Sequence, residues 1–172
     1  MDDEGGQCPK AGVNEVIGFL EILDDESGKI DAYKIGKNFG HQLDQLLDVI
    51  QTAQIFGFLN VSEGDLLLTD FGKQFVQSSL EQRKKIIADF IREFGVFQLL
   101  LDTLQEHPAR AVSIEYLEKS LGESYSEGEM NRIRDVILDW GRYAELVWVD
   151  SDTQEIHLEE EEEAMPPDDF SL

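Results

Sequence analysis

Apolar residues recur at Val13, Val16, Ile17, Leu20 and Leu23, the spacing of one face of an amphipathic helix. The polar run DDESGK (24–29) breaks it. A short helix is predicted from about Asp31 to Phe39, with Gly40 as its stop. A longer one runs from about Leu43 to Phe56, carrying Leu43, Leu46, Leu47, Ile50 and Ile55. FLNV, SEGD and LLLT (58–69) then read as strand, turn and strand. Thr69 is placed to cap a helix over DFGKQFVQ, because its hydroxyl can accept from an amide of the first turn that has no partner within the helix.

The second half repeats this pattern. Ser79 and Gln82 have capping-box spacing and open a helix whose apolar stripe is Ile86, Ile87, Phe90, Ile91 and Phe94. Gly95 interrupts it. Val96 to Leu104 is apolar almost all round, which predicts a central position. HPAR (107–110) ends that helix, and a short one follows from about Ser113 to Leu121, stopped by Gly122. Ser126 and Glu129 form a second capping box, before a helix to about Tyr143. Residues 146–149 and 155–158 flank DSDTQ as a second hairpin.

The halves resemble each other in sequence. DVIQTAQIFGFLNV (48–61) aligns without gaps on DVILDWGRYAELVW (135–148), placing Phe56 on Tyr143 and Leu59 on Leu146. Upstream, IDAYKIGKNFG (30–40) falls on VSIEYLEKSLG (112–122), and the two offsets differ by five residues. Each half reads helix, helix, helix, hairpin, the order of a winged helix. The expected fold class is mainly α with two small β-hairpins (α+β), as tandem winged-helix domains. The expected divisions are a disordered N-terminus (1–11), a first winged helix (12–78), a linker helix (79–95), a second winged helix (96–158) and an acidic disordered tail (159–172).

Composition narrows what such a fold could do. Hydrophobic residues make up 41% of 172, enough for a packed core. No apolar run approaches the roughly 18 residues of a membrane span, and the acidic start MDDEGGQCPK lacks the apolar stretch of a secretory signal. Cys8 is the only cysteine, which excludes an intramolecular disulfide or a cysteine zinc cluster. A cytoplasmic protein is expected, reaching the inner membrane only through a partner. The net charge is −23, and removing the seven carboxylates of residues 159–172 leaves −16 on the remainder. Such a surface repels phosphate backbones and anionic lipid.

That charge argues against the nucleic-acid role common among winged helices. The third helix should offer Arg, Lys, Asn or Gln to base edges. Residues 41–56 contain no Lys or Arg and carry Asp44 and Asp48. Residues 126–143 set Arg132, Arg134 and Arg142 against Glu127, Glu129, Asp135 and Asp139, and both wings are acidic. The one locally basic segment, EQRKKIIADFIREFG, holds Arg83, Lys84, Lys85 and Arg92. It is either a docking face or a solvated helix face with Glu81–Lys85 support, and the solvated face is the commoner outcome.

No catalytic motif stands out. The sequence has no GxxxxGK[ST] phosphate loop and no GxSxG elbow. His41, His107 and His157 lie far apart without metal-ligand spacing. The Glu159–Glu163 run lacks the spaced ligands and glycine turn of a calcium loop. Cys8 lacks the electropositive setting of a reactive thiolate. Neither an enzyme nor a cofactor site is expected.

In DWGRYAEL (139–146), Trp140, Tyr143 and Leu146 have the placement of helix-end core fastening the wing. Gly141 would permit close packing, and Arg142 beside Glu145 suggests a local ion pair. The alternative is an interface hot spot, which an aromatic plus an arginine also suits. The candidate partner interface is therefore Trp140, Arg142 and Tyr143 with Arg83, Lys84 and Lys85, together with the apolar 86–104 region.

DWGRYAELVWVDSDTQEIHLE and LLLTDFGKQF, with FLEILDDESGKIDAYKIGKNFG and LEQRKKII, resemble the AAA-associated C-terminal domain. That domain follows the ATPase module in ATP-binding subunits of nitrate/sulfonate/taurine-type ABC importers. The resemblance spans roughly residues 12–158 and rests on packing motifs. The sequence carries no phosphate loop and no LSGGQ-like signature, so ATP hydrolysis does not carry over. The resemblance implies a non-enzymatic, cytoplasmic protein-interaction or regulatory module of such an importer, binding the ATPase subunit or a second copy of itself. The competing readings are a winged-helix transcriptional regulator and a small-anion or nucleotide sensor, the latter drawing on Arg132, Arg134 and Arg142.

Overall fold

The computed structural model describes residues 8–39 and 42–160. Its first half comprises α1 (Val13–Asp25), β1 (Lys29–Asp31), α2 (Ala32–Phe39), α3 (Leu43–Ile55), β2 (Leu59–Ser62) and β3 (Asp65–Leu68). Helices α4 (Asp70–Gln77) and α5 (Leu80–Ile91) follow. The second half is α6 (Gly95–Glu106), β4 (Ala111–Ser113), α7 (Ile114–Leu121), α8 (Glu127–Tyr143), β5 (Val147–Asp150) and β6 (Glu155–Leu158). The protein is thus mainly helical with two small antiparallel sheets, ordered β1-β3-β2 and β4-β6-β5. Helix, strand, helix, helix, strand, strand occurs twice.

The two hairpins match their expected places, but each sheet gains a third strand that the hydrophobic pattern did not reveal. Lys29–Asp31 pairs with Asp65–Leu67, and Ala111–Ser113 with Glu155–His157. Three residues are too few to display alternation, and long-range pairing makes these segments strands. The expected stop at Gly40 and the expected disorder of residues 1–7 and 161–172 lie outside the described residues.

Caps follow the sequence closely. Thr69 Oγ1 accepts from Gly72 N at 2.9 Å. Capping boxes close at Ser79–Gln82 and Ser126–Glu129. The β2–β3 turn puts Glu63 (φ 51°) and Gly64 (φ 87°) both in the left-handed region, the two-residue hairpin turn whose twist matches that of its strands.

One contiguous cluster of buried side chains runs through both halves. Trp140 is fully buried, and its ring lies 4.4 Å from that of Phe56. Phe56 also meets Phe90 and Phe94, at 5.2 and 5.7 Å. Helix α5, expected as a linker, buries Ile87 and Ile91 in this cluster. Residues 8–11, expected to be disordered, are partly embedded, with Pro9 and Ala11 buried. Thr52 Oγ1 accepts from Lys10 N and Ala11 N, both at 3.0 Å, and Trp140 Nε1 donates to Ala11 O at 2.9 Å. Buried backbone polar groups need partners, and these two side chains supply them.

The internal repeat is real in three dimensions, with a corrected register. Helix α3 is C-capped by Phe56 and α8 by Ala144, each with φ and ψ near −75° and −3°. Gly57 and Glu145 then both adopt positive φ, 72° and 56°. The first hairpin strands begin at Leu59 and Val147. Phe56 therefore corresponds to Ala144 and Leu59 to Val147, one residue from the gapless alignment. The Asp-Val-Ile identity misleads because the two turn positions that fix the register are glycine in one half and glutamate in the other. In the corrected register Thr52 falls on Trp140, so equivalent positions of the two halves both hold Ala11, one at its amide and the other at its carbonyl.

Candidate functional site

Glycine contacts explain the two most distinctive sequence stretches. A Cβ on Gly72 would lie 2.1 Å from the Phe58 carbonyl oxygen, so TDFG brings α4 directly against the backbone that leads into β2. A Cβ on Gly141 would stand 2.9 Å from Val147 Cγ2, the close packing expected of DWGRYAEL. Both stretches are folding devices.

The expected interface residues separate into different environments. Trp140 is wholly inside and presents nothing to a partner. Tyr143 is half-buried, its hydroxyl enclosed without a hydrogen-bond partner, and burial raises its pKa above the ordinary phenol value. Arg142 is exposed and borders a cleft of about 410 Å³ with Gly12, Asp135, Asp139 and Val149. Its expected ion pair with Glu145 does not form. The left-handed turn at Glu145 directs that carboxylate to Lys84 instead, and this hydrogen bond raises the Lys84 pKa. Arg83 is tied to structure: it pairs with Glu21 at 2.9 Å, donates to Val76 O and lies 5.7 Å above the Phe75 ring. Lys85 is exposed and makes no ion pair among the described residues, so the Glu81–Lys85 pair is also absent.

The apolar 86–104 region is mostly core. Ile87, Ile91, Val96, Phe97, Leu100 and Leu104 are buried. Helix α6 is not apolar all round as expected: it buries one stripe while Gln98, Leu99, Asp102, Gln105 and Glu106 stay exposed, the pattern of an amphipathic helix with a solvent-facing side. The fold instead builds an open groove of about 1900 Å³ between α5, α6 and the α8–β5 junction. Lys84, Lys85, Arg92 and Arg110 border it, with Leu80 at 60% exposure. Arg110 and Leu80 were not singled out in the sequence; no linear pattern joins them to α5, and only the fold does.

A second exposed apolar face lies on α2 and α3. Tyr33, Leu43 and Leu47 are 79, 44 and 53% exposed. This face carries Asp44 and no Lys or Arg from α3. The spacing of Leu43 and Leu47 signalled an apolar face, which pattern alone assigned to the core. In the second half Trp148 stands 44% exposed and stacks on His157 at 4.0 Å and 7°.

The arginines proposed for anion sensing do not converge. Arg132 pairs with Asp48 and donates to Lys10 O at 3.2 Å. Arg134 pairs with Glu118 and Asp135. Arg132 and Arg134 are thus matched by the protein's own carboxylates, and Arg142 stands apart from them, exposed at the smaller cleft. Among the described residues no group of three or more His, Cys, Asp or Glu could hold a metal ion, and no helix is long and apolar enough to cross a membrane.

These surfaces belong to a mainly helical domain with two small three-stranded antiparallel sheets. The family comparison gives that class its name: the model for the C-terminal AAA-associated domain matches residues 33–150. The protein belongs to this family, which suggests association with an ATPase of the AAA/ABC kind. No curated protein matches the sequence.

Proposed function

We propose that the protein is a non-enzymatic regulatory module that binds the ATPase subunit of an ABC-type importer of the nitrate/sulfonate kind, on the cytoplasmic side of the membrane. Its two repeats are read as tandem winged helices in which the helix that would enter DNA has become a protein-binding face. The observation that carries this reading is α3, which exposes Leu43 and Leu47 beside Asp44 where a DNA reader would place cations. Carboxylates on both wings, Glu63 and Asp65 on one and Asp150 and Asp152 on the other, add repulsion against phosphate. Exposed apolar side chains with a polar surround suit a protein interface.

The test is direct titration of this protein into a purified importer ATPase subunit, followed by calorimetry, alongside a low-salt duplex DNA titration. The proposal expects saturable binding to the ATPase, weakened at least tenfold by Leu43→Asp with Leu47→Asp, and no binding to DNA. DNA binding with a steep salt dependence and no response to the ATPase would overturn it.

A further inference from the structure

We propose that α3 and α8 together form a peptide-recognition site, of which residues 8–12, just ahead of α1, are the resident and displaceable ligand. This segment lies outside any helix or strand. All four polar main-chain groups of Lys10 and Ala11 are nevertheless bonded, each to a side chain of α3 or α8. Thr52 Oγ1 accepts from both amides at 3.0 Å. Arg132 Nη2 donates to Lys10 O at 3.2 Å, and Trp140 Nε1 to Ala11 O at 2.9 Å. Where the segment enters α1, Asp139 Oδ2 accepts from Val13 N at 2.8 Å. The receptor groups are oriented by their own helices. Thr52 gives its hydroxyl proton to Asp48 O at 2.7 Å, which leaves its oxygen to accept, and Arg132 is held by its ion pair with Asp48.

In peptide sites, main-chain bonds supply affinity and pockets for alternate side chains supply specificity. Pro9 and Ala11 are buried here while Lys10 between them is exposed. A Cβ on Gly12 would stand 2.8 Å from Asp139 Oδ2, and that carboxylate cannot retreat without releasing Val13 N. The pattern read is therefore Pro-x-Ala-Gly leading into a helix that opens with an apolar residue, Val13. Displacement does not require the core to open, because Gly12 borders the open cleft of about 410 Å³. The segment buries only the small side chains of Pro9 and Ala11 outright, and the cost of ordering its backbone offsets much of what its hydrogen bonds contribute. Helix α1 is anchored separately by the fully buried Val16, Leu20 and Leu23. The segment can thus open by itself, and a second peptide of the same pattern can take its place between the two repeats. The partner this site fits is a protein segment that carries that pattern.

The test is amide hydrogen exchange of the intact full-length protein, followed residue by residue by NMR under reducing conditions. It is run alone, with a synthetic peptide of sequence CPKAGVNE at millimolar concentration, and with the same peptide carrying Gly12→Val. The tethered segment competes at an effective concentration in the millimolar range, so the added peptide must reach that range. The proposal expects the Lys10 and Ala11 amides to exchange by local opening, faster than amides in the middle of α1. It expects the unmodified peptide to speed their exchange by at least roughly tenfold, with the α1 amides unchanged, and the Gly12→Val peptide to have no such effect. Three outcomes overturn it. Exchange of Lys10 and Ala11 only together with α1 would make the segment an inseparable part of the core. No acceleration by the unmodified peptide would mean that the site takes no second ligand. Equal acceleration by both peptides would mean that it does not read the pattern.

Discussion

Replacing Gly72 with alanine tests how the β2–β3 hairpin is fastened to α4. The new methyl carbon would lie 2.1 Å from Phe58 O, 2.9 Å from Phe58 C and 3.0 Å from Leu68 Cδ1. Carbon contacts settle near 3.5–4.0 Å, so something must shift by more than about 1 Å. The carbonyl cannot yield freely, because it accepts from Thr69 N at 3.0 Å. Nor can the helix back away, because Gly72 N donates to Thr69 Oγ1 at 2.9 Å. Overpacking of this kind costs about 3 kcal/mol, against about 1 kcal/mol gained from alanine's helix propensity. The net loss is about 2 kcal/mol, or a Tm lower by roughly 4–8 °C for a protein of this size. Gly18→Ala is the control. Its Cβ meets nothing within 4 Å, and it should raise the stability by up to about 1 kcal/mol. Both are measured by thermal and urea unfolding. If Gly72→Ala proved as stable as Gly18→Ala, the close approach would be refuted.

Thr52→Val keeps the side-chain shape but strands the Lys10 and Ala11 amides; a loss of about 2 kcal/mol should appear in urea unfolding, with faster hydrogen exchange at Ala11. Burial pushes the Cys8 thiol pKa from 9.0 to about 11. The neutral thiol is thus favoured by the fold, so its stabilising contribution is complete below pH 9, falls as pH rises towards about 11, and should vanish from the pH profile of Cys8→Ser. The same burial predicts slow iodoacetamide alkylation of the native protein at pH 7.5, with the rate of a free thiol appearing only on unfolding. Lys84→Met breaks an exposed ion pair with Glu145 and should leave the melting temperature nearly unchanged; a large drop would mean that the pair holds the α5–α8 contact together.

Local chemistry was well encoded in the sequence. Thr69, Ser79 and Ser126 announced their helices because capping depends on residues three positions apart. Trp140 and Leu146 read correctly as core, and the Glu63–Gly64 turn lay where the hairpin required it. Strands β1 and β4 escaped because nothing in three residues distinguishes a strand from a turn until a partner hairpin lies alongside. Register between the repeats slipped because helical periodicity tolerates a one-residue shift, while the left-handed turn that fixes it is occupied by Glu145 rather than glycine. The candidate site was the least legible part. Lys84 and Lys85 stood out as charges, but Arg110 and Glu159 reach the same groove only through the fold of the second half. The exposure of Leu43 and Leu47 was hidden for a related reason: an apolar pair at helical spacing looks the same whether it faces the core or a partner.

The central claim is that this acidic helical domain works by holding an ATPase. The most direct measurement is affinity purification of the tagged full-length protein from its native cells after amine-reactive crosslinking, with nuclease-treated and untreated samples and identification of crosslinked peptides. The account predicts an importer ATPase subunit in both samples, with crosslinks at lysines next to the α2–α3 face, Lys34 or Lys37, and loss of that partner when Leu43 and Leu47 are changed to Asp. Recovery of DNA-bound proteins alone, disappearing on nuclease treatment, would contradict it.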